Sequence, residues 1–98
     1  MAQFRVYRIA GGRLLADLQS DLIETGTRVV APLLPLSEGP PPIGRLEPVL
    51  EIAGVPHALH MAELAAVPSR LLRGRPVADL TAHEFEIRRA LDLVFSGF

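Results

Sequence analysis

The stretch Thr81-Ala82-His83-Glu84-Phe85-Glu86-Ile87-Arg88-Arg89-Ala90-Leu91-Asp92-Leu93-Val94-Phe95-Ser96-Gly97-Phe98 decides the fold class. Thr81 and Glu84 stand at capping-box spacing, a hydroxyl at the N-cap and a carboxylate three positions on, to satisfy the first free N–H groups of a helix. Ile87, Ala90, Leu91 and Val94 then recur at i, i+3, i+4 and i+7, which is the face a helix turns to a core. Phe85, Arg88, Arg89, Asp92 and Ser96 fall on the other side, with Phe95 at the border, so Phe85 and Phe95 are candidates for a partner face. Of the chain's four Phe and one Tyr, Phe95 and Phe98 sit in the last four positions. Each gains about 1.5–3 kcal/mol from leaving water. The chain's own body, a second copy or another protein is therefore expected to cover them.

Upstream of the helix the period changes from 3.6 to 2. Residues 3–9 alternate, Phe4 and Val6 one way and Arg5 and Tyr7 the other, which predicts a strand with one buried face. Gly11-Gly12 is a turn, and residues 14–19 alternate again with Leu14, Ala16 and Leu18 on one face, giving a hairpin. Thr25-Gly26-Thr27 marks a second turn. Residues 28–34 are apolar enough for a strand buried on both faces, and Pro32 points to an edge position or a bulge. Residues 37–44, with Pro40-Pro41-Pro42, read as a stiff surface loop, a short polyproline ligand being the alternative. Residues 46–53 and 56–61 flank Gly54-Val55 as another hairpin, with Pro48 again marking an edge. Residues 62–67 fit either one helical turn or a strand, and residues 70–72 a last strand closed by Gly74-Arg75-Pro76. The expected architecture is mainly β: a compact antiparallel sheet of five or so strands with one C-terminal helix, a single domain over residues 1–98.

Composition narrows the function classes. The 98 residues are 49% hydrophobic, enough for one core but a modest one, which makes oligomerisation a fair expectation. Net charge is −1, which argues against a nucleic-acid binder driven by phosphate neutralisation. All ten basic residues are Arg, a bias that coding-DNA base composition produces and that also supplies planar forks for carboxylates. Cysteine is absent, excluding disulfides, thiol nucleophiles and Cys-ligated metals. The first residues, Met1-Ala2-Gln3-Phe4-Arg5-Val6, lack a signal-peptide pattern, and no apolar run reaches membrane-spanning length. The expectation is a cytoplasmic protein.

Little in the chain points to catalysis. His57 and His60, three apart on a strand, face opposite sides and are not expected to share a metal. His83 reads as a solvated or packing residue of the first helical turn. No glycine-flanked nucleophile surrounds Ser20, and Gly11-Gly12 joins strands rather than leading into a phosphate-binding helix. Asp17, Asp21 and Glu24 form a carboxylate cluster on one reading, and solvated strand ends and turns on the favoured one. No cofactor and no metal are expected. Two apolar features remain: the helix tip, and Leu22-Ile23 set between polar Gln19-Ser20-Asp21 and Glu24-Thr25.

Gln3-Phe4-Arg5-Val6-Tyr7, Leu18-Gln19-Ser20-Asp21-Leu22-Ile23-Glu24-Thr25, Val29-Val30-Ala31-Pro32-Leu33, Ala66-Val67-Pro68 and Val77-Ala78-Asp79-Leu80-Thr81 follow one another in order, ending in Glu84, Ile87, Ala90, Leu93, Phe95 and Gly97. This series resembles the CcdB family, gyrase-poisoning toxins of bacterial toxin–antitoxin modules, over nearly the whole chain. The resemblance implies an antiparallel β structure related to SH3-like barrels with a long C-terminal helix. It implies a homodimer with its helix ends near the two-fold axis, inserted into the DNA gyrase A subunit. There such a toxin traps the enzyme on cut DNA and makes or breaks no bond itself. A CcdA-like antitoxin with a disordered tail neutralises it, and the pair serves plasmid maintenance and transcriptional autoregulation. The gyrase-binding positions implied here are Leu22, Ile23, Asp92, Phe95, Ser96, Gly97 and Phe98. Ser96 stands where well-known members carry tryptophan, Asp92 where they carry asparagine, and Phe98 where they end in isoleucine. A central tryptophan contributes about 2–4 kcal/mol to an interface. Two alternatives stay open: a MazF-like endoribonuclease on the same architecture, for which no convergent Arg–acid set is visible in the sequence, and a non-toxic homologue that keeps only dimerisation and antitoxin binding.

Overall fold

The computed structural model describes residues 2–97. Among the described residues, seven strands make one antiparallel, barrel-like sheet: β1 (Arg5–Arg8), β2 (Leu14–Asp17), β3 (Thr27–Pro35), β4 (Val49–Ile52), β5 (Val55–Leu59), β6 (Ala65–Pro68) and β7 (Ala78–Asp79). One helix, α1 (Glu84–Ser96), follows. The order across the sheet is β4-β5-β3-β2-β1-β7, and β6 pairs separately with β3. The mainly β fold with a C-terminal helix is as expected.

β3 is the spine. One side pairs with β2, from Leu14↔Leu33 to Asp17↔Val30. The other pairs first with β6, from Thr27↔Pro68 to Val30↔Ala65, and then with β5, from Leu33↔Leu59 to Pro35↔His57. Pro32 lies at the changeover. Its carbonyl accepts the His60 N–H at 2.9 Å. A strand residue's N and C=O project to the same side, so the missing donor of Pro32 falls where β6 has ended and β5 has not begun. This corrects the expected edge or bulge: the proline is central, at a register position that needs no ladder donor. Pro48 does precede an edge strand, β4.

Both hairpins form. Gly11-Gly12 joins β1 to β2, with Ile9 N–H donating to Arg13 C=O at 2.8 Å. The β4–β5 turn is Ala53-Gly54, not Gly54-Val55. Its φ values of 52° and 79° make both central residues left-handed, the twist a two-residue hairpin prefers. Residues 62–67 hold both predicted forms, a 3-10 turn at Met61–Glu63 and then β6. The strand expected at 70–72 is instead a 3-10 turn, Ser69–Leu71, and the last strand is β7, pairing Arg5↔Asp79.

α1 packs on one sheet face. Ile87 and Ala90 are fully buried against Phe4, Val6, Leu18, Leu33 and Leu59, with Leu91 and Val94 at the margin. The opposite face carries a smaller cluster of Tyr7, Leu15, Val30 and Leu72. Residues 3–9 therefore bury two faces rather than the expected one, because Leu72 covers Tyr7. Phe4 takes a left-handed φ of 67°, which turns its buried ring beneath the Arg88 guanidinium, 5.6 Å from the ring centroid. The capping box is also corrected. A 3-10 turn, Thr81–His83, precedes α1, and both the N–H and the hydroxyl of Thr81 donate to Asp79 Oδ1, at 2.9 and 2.6 Å. Glu84 turns instead to Arg88, at 2.7 Å. Asp79 competes successfully for Thr81 because it stands two residues back, where a short carboxylate reaches the turn's amide.

Candidate partner-binding site

α1 ends at Gly97, whose φ of 77° closes the helix with an N–H to Leu93 C=O bond of 2.9 Å. A left-handed residue here is the usual helix stop, and glycine adopts it without a Cβ penalty. The last turn leaves Phe95 76% exposed, with Asp92, Ser96 and Gly97 exposed around it. Phe98, the remaining expected tip residue, lies outside the described residues. One helix face further back, Phe85 is exposed beneath the Arg89 guanidinium, 5.6 Å from its ring centroid.

Leu22 and Ile23 occupy a turn between β2 and β3, 95% and 53% exposed. That turn is anchored from below by Asp17 and Arg28. Register explains why they meet: Asp17 is opposite Val30, so Arg28, two residues away, is its diagonal neighbour on the same face. Arg28 Nη2 reaches Asp17 Oδ2 at 2.8 Å, Asp21 Oδ1 at 3.1 Å and the Gln19 carbonyl at 3.0 Å. Both Arg28 and Asp17 are buried. Burial pushes the Asp17 carboxyl above its ordinary value, outweighing the Arg28 and Gln19 hydrogen bonds that draw it down. Burial draws Arg28 down, but hydrogen bonds and charge from Asp17 and Asp21 leave it raised. Asp17 is thus not a solvated strand end, which corrects the sequence reading. Asp21 is half-exposed and joins the network, while Glu24 is exposed as expected.

The expected site residues sit on two elements, the 19–23 turn and the last turns of α1, and among the described residues no hydrogen bond or ion pair joins the two.

The histidines are committed elsewhere. His57 Nδ1 lies 2.8 Å from Val55 C=O, and His60 Nδ1 lies 3.2 Å from Glu47 Oε2 in a buried pair. His83 faces Glu86 at 3.1 Å on the surface. A feature the sequence reading missed is a cavity of about 570 Å³ between the tips of the two hairpins, which gathers Arg8, Arg13, Ser37, Glu38 and His57. These residues come from three separated stretches, the β1–β2 hairpin, the end of β3 with its following turn, and the β4–β5 hairpin, so no local pattern announces them.

An antiparallel barrel with one helix thus carries exposed apolar residues on a turn, Leu22 and Ile23, and on its helix, Phe85 and Phe95. The chain belongs to the CcdB protein family, whose model matches residues 3–97. A solved structure described as "Crystal structure of Mtb toxin" is similar in fold, with a TM-score of 0.73 and 21% identity over 93% of this chain and 100% of that one. Among the described residues no helix is long and apolar enough to cross a membrane.

Proposed function

We propose that the chain is the toxin of a toxin–antitoxin module, a homodimer that binds the DNA gyrase A subunit and holds it on cleaved DNA. The observation that carries this reading is membership of the CcdB family over residues 3–97. The exposure of Leu22, Ile23 and Phe95 on ordered backbone is consistent with it. The toxin acts by occupying a groove and makes or breaks no bond itself. Leu22, Ile23, Asp92, Phe95, Ser96, Gly97 and Phe98 form its contact surface. The two patches come together across the dimer or on the two walls of the target. A cognate antitoxin covers the same protein and relieves the poisoning. Expression in a gyrase-sensitive bacterium should arrest growth with DNA damage, and purified protein should stabilise gyrase–DNA cleavage complexes. Removing Ser96, Gly97 and Phe98 should abolish both while the barrel stays folded. A truncated chain that still kills would reject the tip as the contact.

One observation favours a second reading, a MazF-like endoribonuclease. The hairpin-tip cavity collects two arginines, a carboxylate and a histidine whose Nδ1 is held by a backbone carbonyl. An RNase needs cationic groups for a phosphorane and an acid–base pair. Site-specific cleavage of total RNA, lost in His57→Ala, would establish this reading against the pure poison.

A further inference from the structure

Leu22 is 95% exposed, yet the turn that carries it is tied at residue after residue. The Ser20 hydroxyl accepts the Leu22 N–H and the Ser20 carbonyl accepts the Ile23 N–H, each at 3.2 Å. Gln19 Nε2 donates to the Ile23 carbonyl at 2.9 Å, and Gln19 Oε1 accepts the Val29 N–H at 3.0 Å. Asp21 Oδ1 accepts the Gln3 N–H at 2.9 Å as well as Arg28 Nη2. All of it stands on the Asp17–Arg28 pair beneath. Buried ion pairs contribute little net stability against apolar residues of the same size, and the upward shift of Asp17 by burial agrees. What such a network supplies is geometry. A leucine on a loose turn would fold back onto the neighbouring surface; these bonds oppose that movement.

We propose that Arg28, acting with Gln19 and Asp21, is a positioning group that holds the 19–23 turn of the free protein in the form in which Leu22 and Ile23 meet a protein partner. This rests on the gyrase reading above. Its consequence is quantitative, because affinity scales with the fraction of molecules already in the competent form. If losing one tie lowers that fraction about tenfold, apparent affinity falls by about the same factor.

The test uses Asp21→Ala and Gln19→Ala, which leave the Asp17–Arg28 contacts in place, since Arg28→Ala threatens the fold itself. Amide hydrogen exchange at Leu22 and Ile23 is measured in the free protein, and affinity for purified gyrase A fragment by calorimetric titration. Each variant is expected to speed exchange at both amides and to weaken binding by a matching factor, about tenfold. In a Leu22→Ala, Ile23→Ala background the affinity effect of Asp21→Ala should disappear, because the network acts through those two side chains. Weaker binding with unchanged exchange would make Asp21 a direct contact and overturn the positioning role. Faster exchange with unchanged affinity would overturn it too. A wild-type chain without gyrase A affinity overturns the gyrase reading instead, and the exchange comparison then decides by itself whether the network orders the turn.

Discussion

Replacing Phe95 with alanine separates folding from binding. A fully covered phenylalanine side chain gains about 1.5–3 kcal/mol from burial. In the isolated chain Phe95 is 76% exposed, so α1 and its neighbours already hold only about a quarter of that gain. The fold should therefore lose about 0.5 kcal/mol. The rest is available to a partner: about 1–2 kcal/mol from area alone, and about 2 kcal/mol or more if the ring enters a central pocket. On the proposed reading, affinity for gyrase A should fall by about 5–30-fold from area alone, since about 1.4 kcal/mol is a factor of ten. Ile87→Ala is the control. Ile87 is fully buried under the sheet, and its truncation should cost about 2–5 kcal/mol of stability. Urea unfolding at two protein concentrations gives the stability, and calorimetry with gyrase A fragment the affinity. If Phe95→Ala shifts the urea midpoint as far as Ile87→Ala, or leaves gyrase A binding intact, the assignment of Phe95 to a partner face fails. A loss of stability that grows on dilution would place the ring between two copies of the chain instead.

Arg28→Ala strands a buried Asp17 and should cost about 3–5 kcal/mol in chemical denaturation, and adding Asp17→Asn should recover much of it; no recovery would show that the two side chains are not coupled. Asp79 is held below its ordinary value by the Thr81 hydroxyl and amide, with Arg5 assisting. A depressed carboxylate lends stability that is present above its unfolded value and fades as pH falls through the folded one. The Asp79 carboxyl resonance should thus titrate with a midpoint below 3.8, and Asp79→Ala should flatten that part of the stability profile. Ala53 sits at a φ of 52° in the β4–β5 turn. Ala53→Asn places a residue that tolerates this conformation and should raise the melting temperature by a few degrees, about 0.5–1 kcal/mol; an unchanged or lower value would mean the turn is not strained by alanine.

What the sequence makes legible follows from what its patterns encode. Ile87, Ala90, Leu91 and Val94 show a helix face because burial and the 3.6 period coincide there. Leu22 and Ile23 stand out as contact candidates because polar residues flank the pair, and Phe95 because it falls at the border of the helix's core face near its tip; all three are exposed. Three things hide. Asp17 and Arg28 each look like a polar residue on an alternating strand, and only the Asp17↔Val30 register brings them together. Pro32 reads as an edge residue because the usual rule assumes one partner on each side, whereas β3 changes partners beside it. The hairpin-tip cavity draws on side chains far apart in sequence, from Arg8 to His57.

The position of β3 has a consequence for how this molecule opens. Because it bonds to β2, β5 and β6, neither hairpin as a whole nor β6 can leave the sheet without unzipping that strand, whereas the outer strands β4, β1 and β7 can fray first. Exchange protection should be greatest along its middle and should vanish there only on global unfolding. The end of α1 has no bond to this strand, whereas the Leu22 turn is tied to it through Arg28 and Val29, so the two proposed contact elements should loosen at different free energies, the helix tip first.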